Sequence, residues 1–186
     1  MRIIGGKLRG KKLFFLKNKI TRPLRDFVKE SVFNIIQHSS KINFSIKDSN
    51  ILDLYSGIGS FGLECISRDA GKVTFVEKDK LSQEMLLKNL QNLNIENKSH
   101  VSNNSVNSFI NKVKNNRYDL IFLDPPFADD HYKEDLSLIK KLQIYSKKHL
   151  IIIHRESTKT EKFDKCLHIV EIKNYGRSKI IFGFFH

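Results

Sequence analysis

The sequence predicts an α/β fold in which a mostly parallel sheet carries helices on both faces and ends in an antiparallel hairpin. From residue 50 onward, short apolar stretches alternate with amphipathic stretches, as in successive strand–helix units. A glycine-rich turn follows the first apolar stretch, which is typical of a strand that passes into a ligand-binding helix. The last two apolar stretches are joined by Asn174-Tyr175-Gly176, whose turn chemistry predicts a hairpin.

The individual elements follow from the same patterns. We predict strands over residues 50–55, 73–76, 100–101, 118–123, 150–153, 166–172 and 180–185. We predict helices over residues 61–68, 80–92, 106–113 and 136–142. In the helix 80–92 we expect one face to consist of Leu81, Met85, Leu86 and Leu90.

The amino-terminal part has a different character, and we divide the chain into a basic arm with its helix (1–40) and a main domain (50–186). No acidic residue precedes Asp26, while lysine and arginine recur throughout. Thr21 as a cap and Pro23 in the first turn predict a helix start. Residues 39–49 are predicted to be a polar linker.

The composition limits the classes of function. The 186 residues carry a formal net charge of +13 and a pI of about 9.7, which predicts a polyanionic partner such as nucleic acid. No apolar stretch approaches the roughly 20 residues of a membrane span, and the amino terminus lacks the pattern of a signal peptide. Cys65 and Cys166 have no metal-site spacing. We expect a cytoplasmic protein with reduced core thiols and no metal.

The turn after the first strand predicts a nucleoside cofactor. Gly57 and Gly59 let the backbone turn tightly and approach a ligand. Glu77 ends the second strand roughly 20 residues later, where a carboxylate can hold ribose hydroxyls. Gly62 completes the spacing of a dinucleotide motif as well, so NAD is an alternative. Asp53 precedes the turn and would repel a pyrophosphate, which favours the cationic S-adenosylmethionine.

The run Asp124-Pro125-Pro126-Phe127 predicts chemistry on an exocyclic amine. It directly follows the apolar residues 120–123 at the end of a predicted strand. A carboxylate and a backbone carbonyl can accept both N–H bonds of an amine and direct its lone pair at a methyl group. The prolines stiffen the turn, and Phe127 can stack on a base taken out of its helix. A rigid loop after a strand is the structural alternative.

These motifs, in this order, resemble the RsmD family of 16S ribosomal RNA guanine-N2 methyltransferases, which are class I S-adenosylmethionine-dependent enzymes. The resemblance covers almost the whole chain: Arg2-Ile-Ile-Gly-Gly6, Arg9-Gly10-Lys11-Lys12-Leu13, Arg22-Pro23, Asp26, Val28-Lys29-Glu30, Phe33-Asn34, residues 52–64, Ser67-Arg68, Glu77-Lys78-Asp79 and residues 124–127. The amino-terminal segment is its specific part, because the tetrapeptide alone is shared with other amino-methyltransferases. The resemblance implies a Rossmann-like class I methyltransferase sheet.

It also implies a set of site residues. Cofactor contacts are expected from Asp53, Tyr55, Gly57, Gly59, Glu77, Ser105, Val106 and Asp124. Asp124, Pro125, Pro126 and Phe127 are the expected catalytic residues: Asp124 and the Pro125 carbonyl orient the guanine amine and Phe127 stacks. The RNA backbone is expected on Arg9, Lys11, Lys12, Arg22, Arg25, Arg155 and Arg177. The implied partner is 16S ribosomal RNA, within the small subunit or an assembly intermediate, and we expect a monomer.

Four positions depart from the family pattern, and three alternatives stay open. Leu24 replaces a threonine, Phe27 a basic residue, Ser105 an acid or amide, and His154 an acid. The nearest alternative is a DNA adenine or cytosine amino-methyltransferase, which would differ in its product nucleoside. The others are a non-catalytic RNA-binding assembly factor, which would yield no product, and an NAD oxidoreductase, which calorimetry with the two cofactors would identify.

Overall fold

The computed structural model describes residues 1–15, 26–159, 163 and 166–186. Its helices are α1 (Asp26–His38), α2 (Ser60–Ser67), α3 (Lys80–Leu93), α4 (Val106–Lys112) and α5 (Tyr132–Leu142). Its strands are β1 (Asn50–Leu54), β2 (Lys72–Val76), β3 (Ser99–Ser102), β4 (Tyr118–Leu123), β5 (Tyr145–Glu156), β6 (His168–Tyr175) and β7 (Ser178–Phe184). A short 3₁₀ turn, Glu96–Lys98, precedes β3.

The strands form one sheet in the order β3-β2-β1-β4-β5-β7-β6. The pairs from β3 to β5 are parallel, while β7 runs antiparallel to β5 and to β6. The predicted fold class and the carboxyl-terminal hairpin are therefore confirmed. The chain returns to the middle of the sheet between β3 and β4, so strand order reverses between β1 and β4, where such sheets bind ligands.

Several predicted boundaries and one predicted face were wrong. Strand β6 runs to Tyr175 rather than ending at residue 172, so Asn174 and Tyr175 belong to the strand and not to the turn. Strand β5 begins at Tyr145 rather than at residue 150 and ends at Glu156 rather than 153, because β4 and β7 pair with its polar ends. Helix α5 begins at Tyr132, four residues before the predicted start. On α3, Leu81 is 53% exposed. The buried residues of that helix are Ser82, Leu86, Asn89, Leu90 and Leu93.

Helix α1 packs on the same core as the sheet. The ring of Phe33 stacks on Phe61 of α2 with centroids 5.2 Å apart, and Phe61 stacks on Phe122 of β4 at 3.9 Å. Ile42, in the predicted polar linker, is also buried in this cluster. Each of these buried side chains contributes roughly 1.5–3 kcal/mol relative to exposure. The predicted start of α1 at Thr21 and Pro23 lies outside the described residues.

A buried ion network docks the amino-terminal arm on α2. The Glu64 carboxylate accepts hydrogen bonds from the backbone N–H groups of Ile4 (2.8 Å) and Gly5 (2.7 Å). It also pairs with Arg68 (3.0 Å) and Lys29 (3.6 Å). Burial lowers the pKa of Lys29, and the Glu64 carboxylate opposes that shift. The backbone of the arm is therefore held against α2.

In the part of the chain described here, no helix is long and apolar enough to cross a membrane.

Candidate active site

The carboxyl ends of neighbouring strands bring most of the predicted site residues to one edge of the sheet. Strands β1 and β4 pair in register, with Leu54 opposite Leu123. The backbone N–H of Asp124 donates to the Leu54 carbonyl at 3.3 Å. The turn after β1 and the tetrapeptide after β4 therefore start side by side, with Glu77 at the end of β2 on one flank and His154 of β5 on the other.

Asp53 is a buried carboxylate with one oxygen still unpaired. Its Oδ2 accepts from the Gly62 N–H at 2.9 Å, while its Oδ1 has no hydrogen-bond partner among the described residues. Burial raises the pKa of Asp53 well above its usual range, and the carboxylates of Asp124 and Glu77 add to that shift. An orphaned acceptor among three acids is suited to a cationic ligand, since a positive charge would offset the cost of ionising Asp53.

The glycines of the turn are required for different reasons. Gly57 and Gly59 both have left-handed backbone conformations, with φ of 54° and 82°. A Cβ on Gly59 would lie 2.4 Å from the Leu86 side chain, so a larger residue would have to displace that buried leucine. A Cβ on Gly57 would point into open space. The backbone at Gly57 is therefore accessible to a ligand, and the hydroxyl oxygen of neighbouring Ser56 is buried without a partner among the described residues.

Glu77 holds the turn from the end of β2. Its Oε2 accepts from the Gly57 N–H and its Oε1 from the Asp79 N–H, both at 2.8 Å. Each carboxylate oxygen has a second lone pair, so the group can still accept from ribose hydroxyls. Asp79 has a different role: it caps α3 by accepting from the Ser82 N–H at 2.9 Å, and this bond lowers its pKa.

Tyr55 and the start of α4 complete the cofactor side of the edge. The Tyr55 hydroxyl donates to Asp135 Oδ2 at 2.6 Å, and burial with this carboxylate raises the pKa of Tyr55. Ser105 caps α4 through its hydroxyl, which accepts from the Ser108 N–H at 3.3 Å, and Val106 is buried behind it. Contacts of Ser105 and Val106 with an adenine ring stay predictions.

Asp124 is partly accessible and hydrogen-bonded to a histidine. Its side chain is 25% exposed, and its Oδ1 lies 2.7 Å from Nδ1 of His154, whose side chain is 6% exposed. His154 Nε2 lies 3.0 Å from the Ser178 hydroxyl. The ring of Phe127 meets the His154 imidazole edge-on at 5.3 Å. The tetrapeptide therefore presents one carboxylate oxygen and one aromatic ring at the edge of the sheet.

Arg155 holds the loop of the tetrapeptide, and its predicted contact with RNA was wrong. Its side chain is fully buried. The guanidinium donates to the carbonyls of Pro126 (3.1 Å) and Phe127 (3.2 Å) and to Asp130 Oδ1 (3.2 Å), and it lies 4.4 Å from the Tyr132 ring centre. A group enclosed in this way is not available to phosphate. It fixes the backbone that follows Asp124 instead.

The other basic residues expected to contact RNA are exposed wherever the structure describes them. Arg9, Lys11 and Lys12 are exposed on the docked arm. Arg177 is exposed on the β6–β7 hairpin and pairs with Glu156 at 3.0 Å. Arg22 and Arg25 lie outside the described residues. Contact of the exposed residues with RNA stays a prediction.

Asn89 is a residue beside the candidate site that the sequence patterns did not reveal. Its amide accepts from the Phe14 N–H at 2.7 Å and donates to the Phe14 carbonyl at 3.1 Å and to the Ile58 carbonyl at 3.3 Å. It therefore ties the end of the arm to the glycine turn. A signal was present, because Asn89 interrupts the spacing of Leu86, Leu90 and Leu93 on the buried face of α3.

The chain matches a family model and several known proteins. A family model described as "Conserved hypothetical protein 95" matches residues 1–184. "Ribosomal RNA small subunit methyltransferase D" of Haemophilus influenzae is 37% identical over 161 residues, which are 86% of this chain and 80% of that protein. The protein of the same name in Escherichia coli K12 is 35% identical over 75% of this chain and 67% of its own length. The solved structure of yhhF from Escherichia coli has a TM-score of 0.83 at 29% identity and covers 98% of this chain and 96% of its own.

Proposed function

The chain belongs to the ribosomal RNA small subunit methyltransferase D family, and we propose that it methylates the exocyclic N2 amine of a guanine in 16S ribosomal RNA, with S-adenosylmethionine as the methyl donor. One observation carries the proposal. The backbone of Asp124 is hydrogen-bonded to Leu54, so an accessible carboxylate adjoins the end of β1, where Asp53 leaves a buried oxygen unpaired. An acceptor for an amine thus adjoins a site for a cationic cofactor.

The residues of the turn fit the cofactor. The unpaired Asp53 oxygen, the buried Ser56 hydroxyl and the open space at Gly57 suit the ammonium and carboxylate end of an amino acid. Glu77 would accept from the ribose hydroxyls, and Val106 would pack against the adenine. When bound, S-adenosylmethionine supplies an electrophilic methyl group on a sulfonium. NAD fits less well, because its pyrophosphate would meet the acids Asp53 and Glu77.

Asp124 and the Pro125 carbonyl would activate the amine. The lone pair of a base amine is delocalised into the ring, so the free amine is a poor nucleophile. Two acceptors that take both N–H bonds draw the nitrogen toward a tetrahedral shape and stabilise the positive charge that develops on it. Because Arg155 fixes the backbone at Pro126 and Phe127, these acceptors are held in place before the substrate arrives. Proximity then accounts for much of the rate.

The charge distribution supports an RNA substrate. The net charge is +13, and Arg9, Lys11 and Lys12 are exposed on an arm that Asn89 ties to the glycine turn. Backbone contacts position an RNA but do not specify its sequence. Phe127 could stack on the extruded guanine. We propose a monomer that acts on the small subunit or an assembly intermediate.

A methyl-transfer assay tests the proposal. Small ribosomal subunits that lack the modification, naked 16S RNA and duplex DNA would each be incubated with methyl-labelled S-adenosylmethionine, and the digest would be analysed for N2-methylguanosine. We expect label in RNA and a fall of roughly hundredfold to thousandfold in Asp124→Ala. Label in DNA alone, or no label despite measurable cofactor binding, would contradict it.

A further inference from the structure

We propose that His154 is a positioning residue that orients the Asp124 carboxylate, and that this carboxylate in turn fixes the tautomer of the imidazole. The inference rests on the proposed function, because it concerns how Asp124 meets an amine. It starts from a chain of three side chains: the Ser178 hydroxyl lies 3.0 Å from His154 Nε2, and His154 Nδ1 lies 2.7 Å from Asp124 Oδ1.

The tautomer follows from what each partner can do. An ionised carboxylate only accepts hydrogen bonds, so Nδ1 must carry the proton that lies between His154 and Asp124. In a neutral imidazole the other nitrogen then accepts, and the Ser178 hydroxyl donates to it. Since the His154 side chain is 6% exposed, water has little access to reverse this order. The hydrogen at Nδ1 is therefore directed at Asp124.

This arrangement gives the two carboxylate oxygens of Asp124 different roles. Oδ1 is engaged by His154, and Asp124 is held at two points: its backbone N–H donates to the Leu54 carbonyl, and its carboxylate meets the imidazole. Oδ2 is then the oxygen that accepts from the substrate amine. A carboxylate free to rotate would present the same atoms but would spend part of its time in unproductive orientations. His154 should therefore act on turnover rather than on binding.

The fold places the three residues independently of the helices that build the cofactor turn. His154 lies on β5, Ser178 begins β7, and Asp124 follows β4. Strand β5 pairs with β4 on one side and with β7 on the other. Substitution at His154 can therefore change the orientation of Asp124 while the turn from Asp53 to Gly59 stays intact, which makes cofactor affinity a suitable control.

Replacing His154 by asparagine tests the role of Nδ1 apart from that of Nε2. An asparagine carries its amide nitrogen one bond beyond Cγ, at the place of Nδ1, so His154→Asn can keep the donor to Asp124. His154→Leu keeps much of the volume without a donor. We expect His154→Leu to lower kcat by roughly tenfold to hundredfold, because one charge-assisted hydrogen bond is lost. KM for both substrates should stay within about threefold of the wild-type values. His154→Asn should recover most of that loss.

The assay compares wild type, both variants and the matched control His149→Asn, which makes the same replacement five positions earlier on β5. Imidazole nitrogen shifts in ¹⁵N-labelled protein report the tautomer without any substrate. We expect Nδ1–H at His154 in wild type and in Ser178→Ala, and a mixture of tautomers in Asp124→Ala, which removes the carboxylate that accepts this hydrogen.

Three results would each overturn the inference: equal kcat in His154→Leu and wild type, equal losses of kcat in His154→Leu and His154→Asn, or an Nε2–H tautomer in wild type. The proposed function would still stand in these cases if the wild-type enzyme methylates RNA. A wild-type enzyme that does not methylate RNA would instead refute the proposed function.

Discussion

Replacing Arg155 by methionine tests whether this buried arginine holds the catalytic loop. The side chain donates to the Pro126 carbonyl, the Phe127 carbonyl and Asp130. Hydrogen bonds from a charged donor contribute roughly 1.5–3 kcal/mol each. Pro126 and Asp130 are exposed and can regain water in the variant, so we expect a loss of unfolding free energy below the full sum of three such bonds, about 3–4 kcal/mol. This corresponds to a fall in Tm of about 6–16 °C for a chain of this size.

Thermal unfolding and methyl transfer, measured in parallel, distinguish this role from RNA binding. Arg177→Met is the matched control, because Arg177 is exposed and its loss should change unfolding free energy by less than about 0.5 kcal/mol. A displaced Pro126–Phe127 backbone should lower kcat of the folded Arg155→Met enzyme, with cofactor affinity unchanged. An Arg155→Met protein with wild-type Tm and kcat, but weaker RNA binding that is less sensitive to salt, would refute the structural role and restore a phosphate contact.

Three further variants are expected to act in defined directions. Asp53→Asn should weaken cofactor binding but raise the Tm of the free protein near neutral pH: burial raises the pKa of Asp53, so ionisation costs stability as pH rises from the unfolded value through the raised one. An unchanged Tm and affinity would contradict this. Asn89→Leu should speed proteolysis within the arm and weaken cofactor binding, measured by limited digestion and calorimetry; equal digestion rates would count against it. Replacing Arg9, Lys11 and Lys12 by glutamine should reduce the slope of log binding constant against log salt by roughly 2, and an unchanged slope would place the RNA elsewhere.

The strands and turns that depend on a local pattern of apolar residues and glycines were predictable from the sequence. Leu120 to Leu123 form a continuous apolar run that ends at an acid, and the structure places a buried strand there with Asp124 at the sheet's carboxyl edge. The same logic located the glycine turn after β1 and Glu77 after β2. Because parallel strands share one carboxyl edge, residues that end separate strands in the sequence were expected to meet.

The parts that depend on distant partners were not predictable. Strand β5 extends through polar residues at both ends because β4 and β7 supply its hydrogen bonds. Arg155 follows an apolar run and has the sequence context of a surface arginine, yet its partners are carbonyls 28 and 29 residues earlier in the chain. Asn89 is similar, since its partners Phe14 and Ile58 belong to two other segments. For Arg155 and Asn89 the sequence shows a polar residue next to apolar ones, but it does not identify the groups to which that residue hydrogen-bonds.

The most direct test of the central claim is the identity of the nucleoside formed on small ribosomal subunits that lack the modification. Mass spectrometry of the digest after incubation with wild-type protein and S-adenosylmethionine should show N2-methylguanosine, and the Asp124→Ala variant, if folded and still binding the cofactor, should yield almost none. Methylated adenosine or cytidine, a ring-methylated guanosine, or equal product from Asp124→Ala would contradict the assignment of Asp124 as the acceptor that activates the guanine amine.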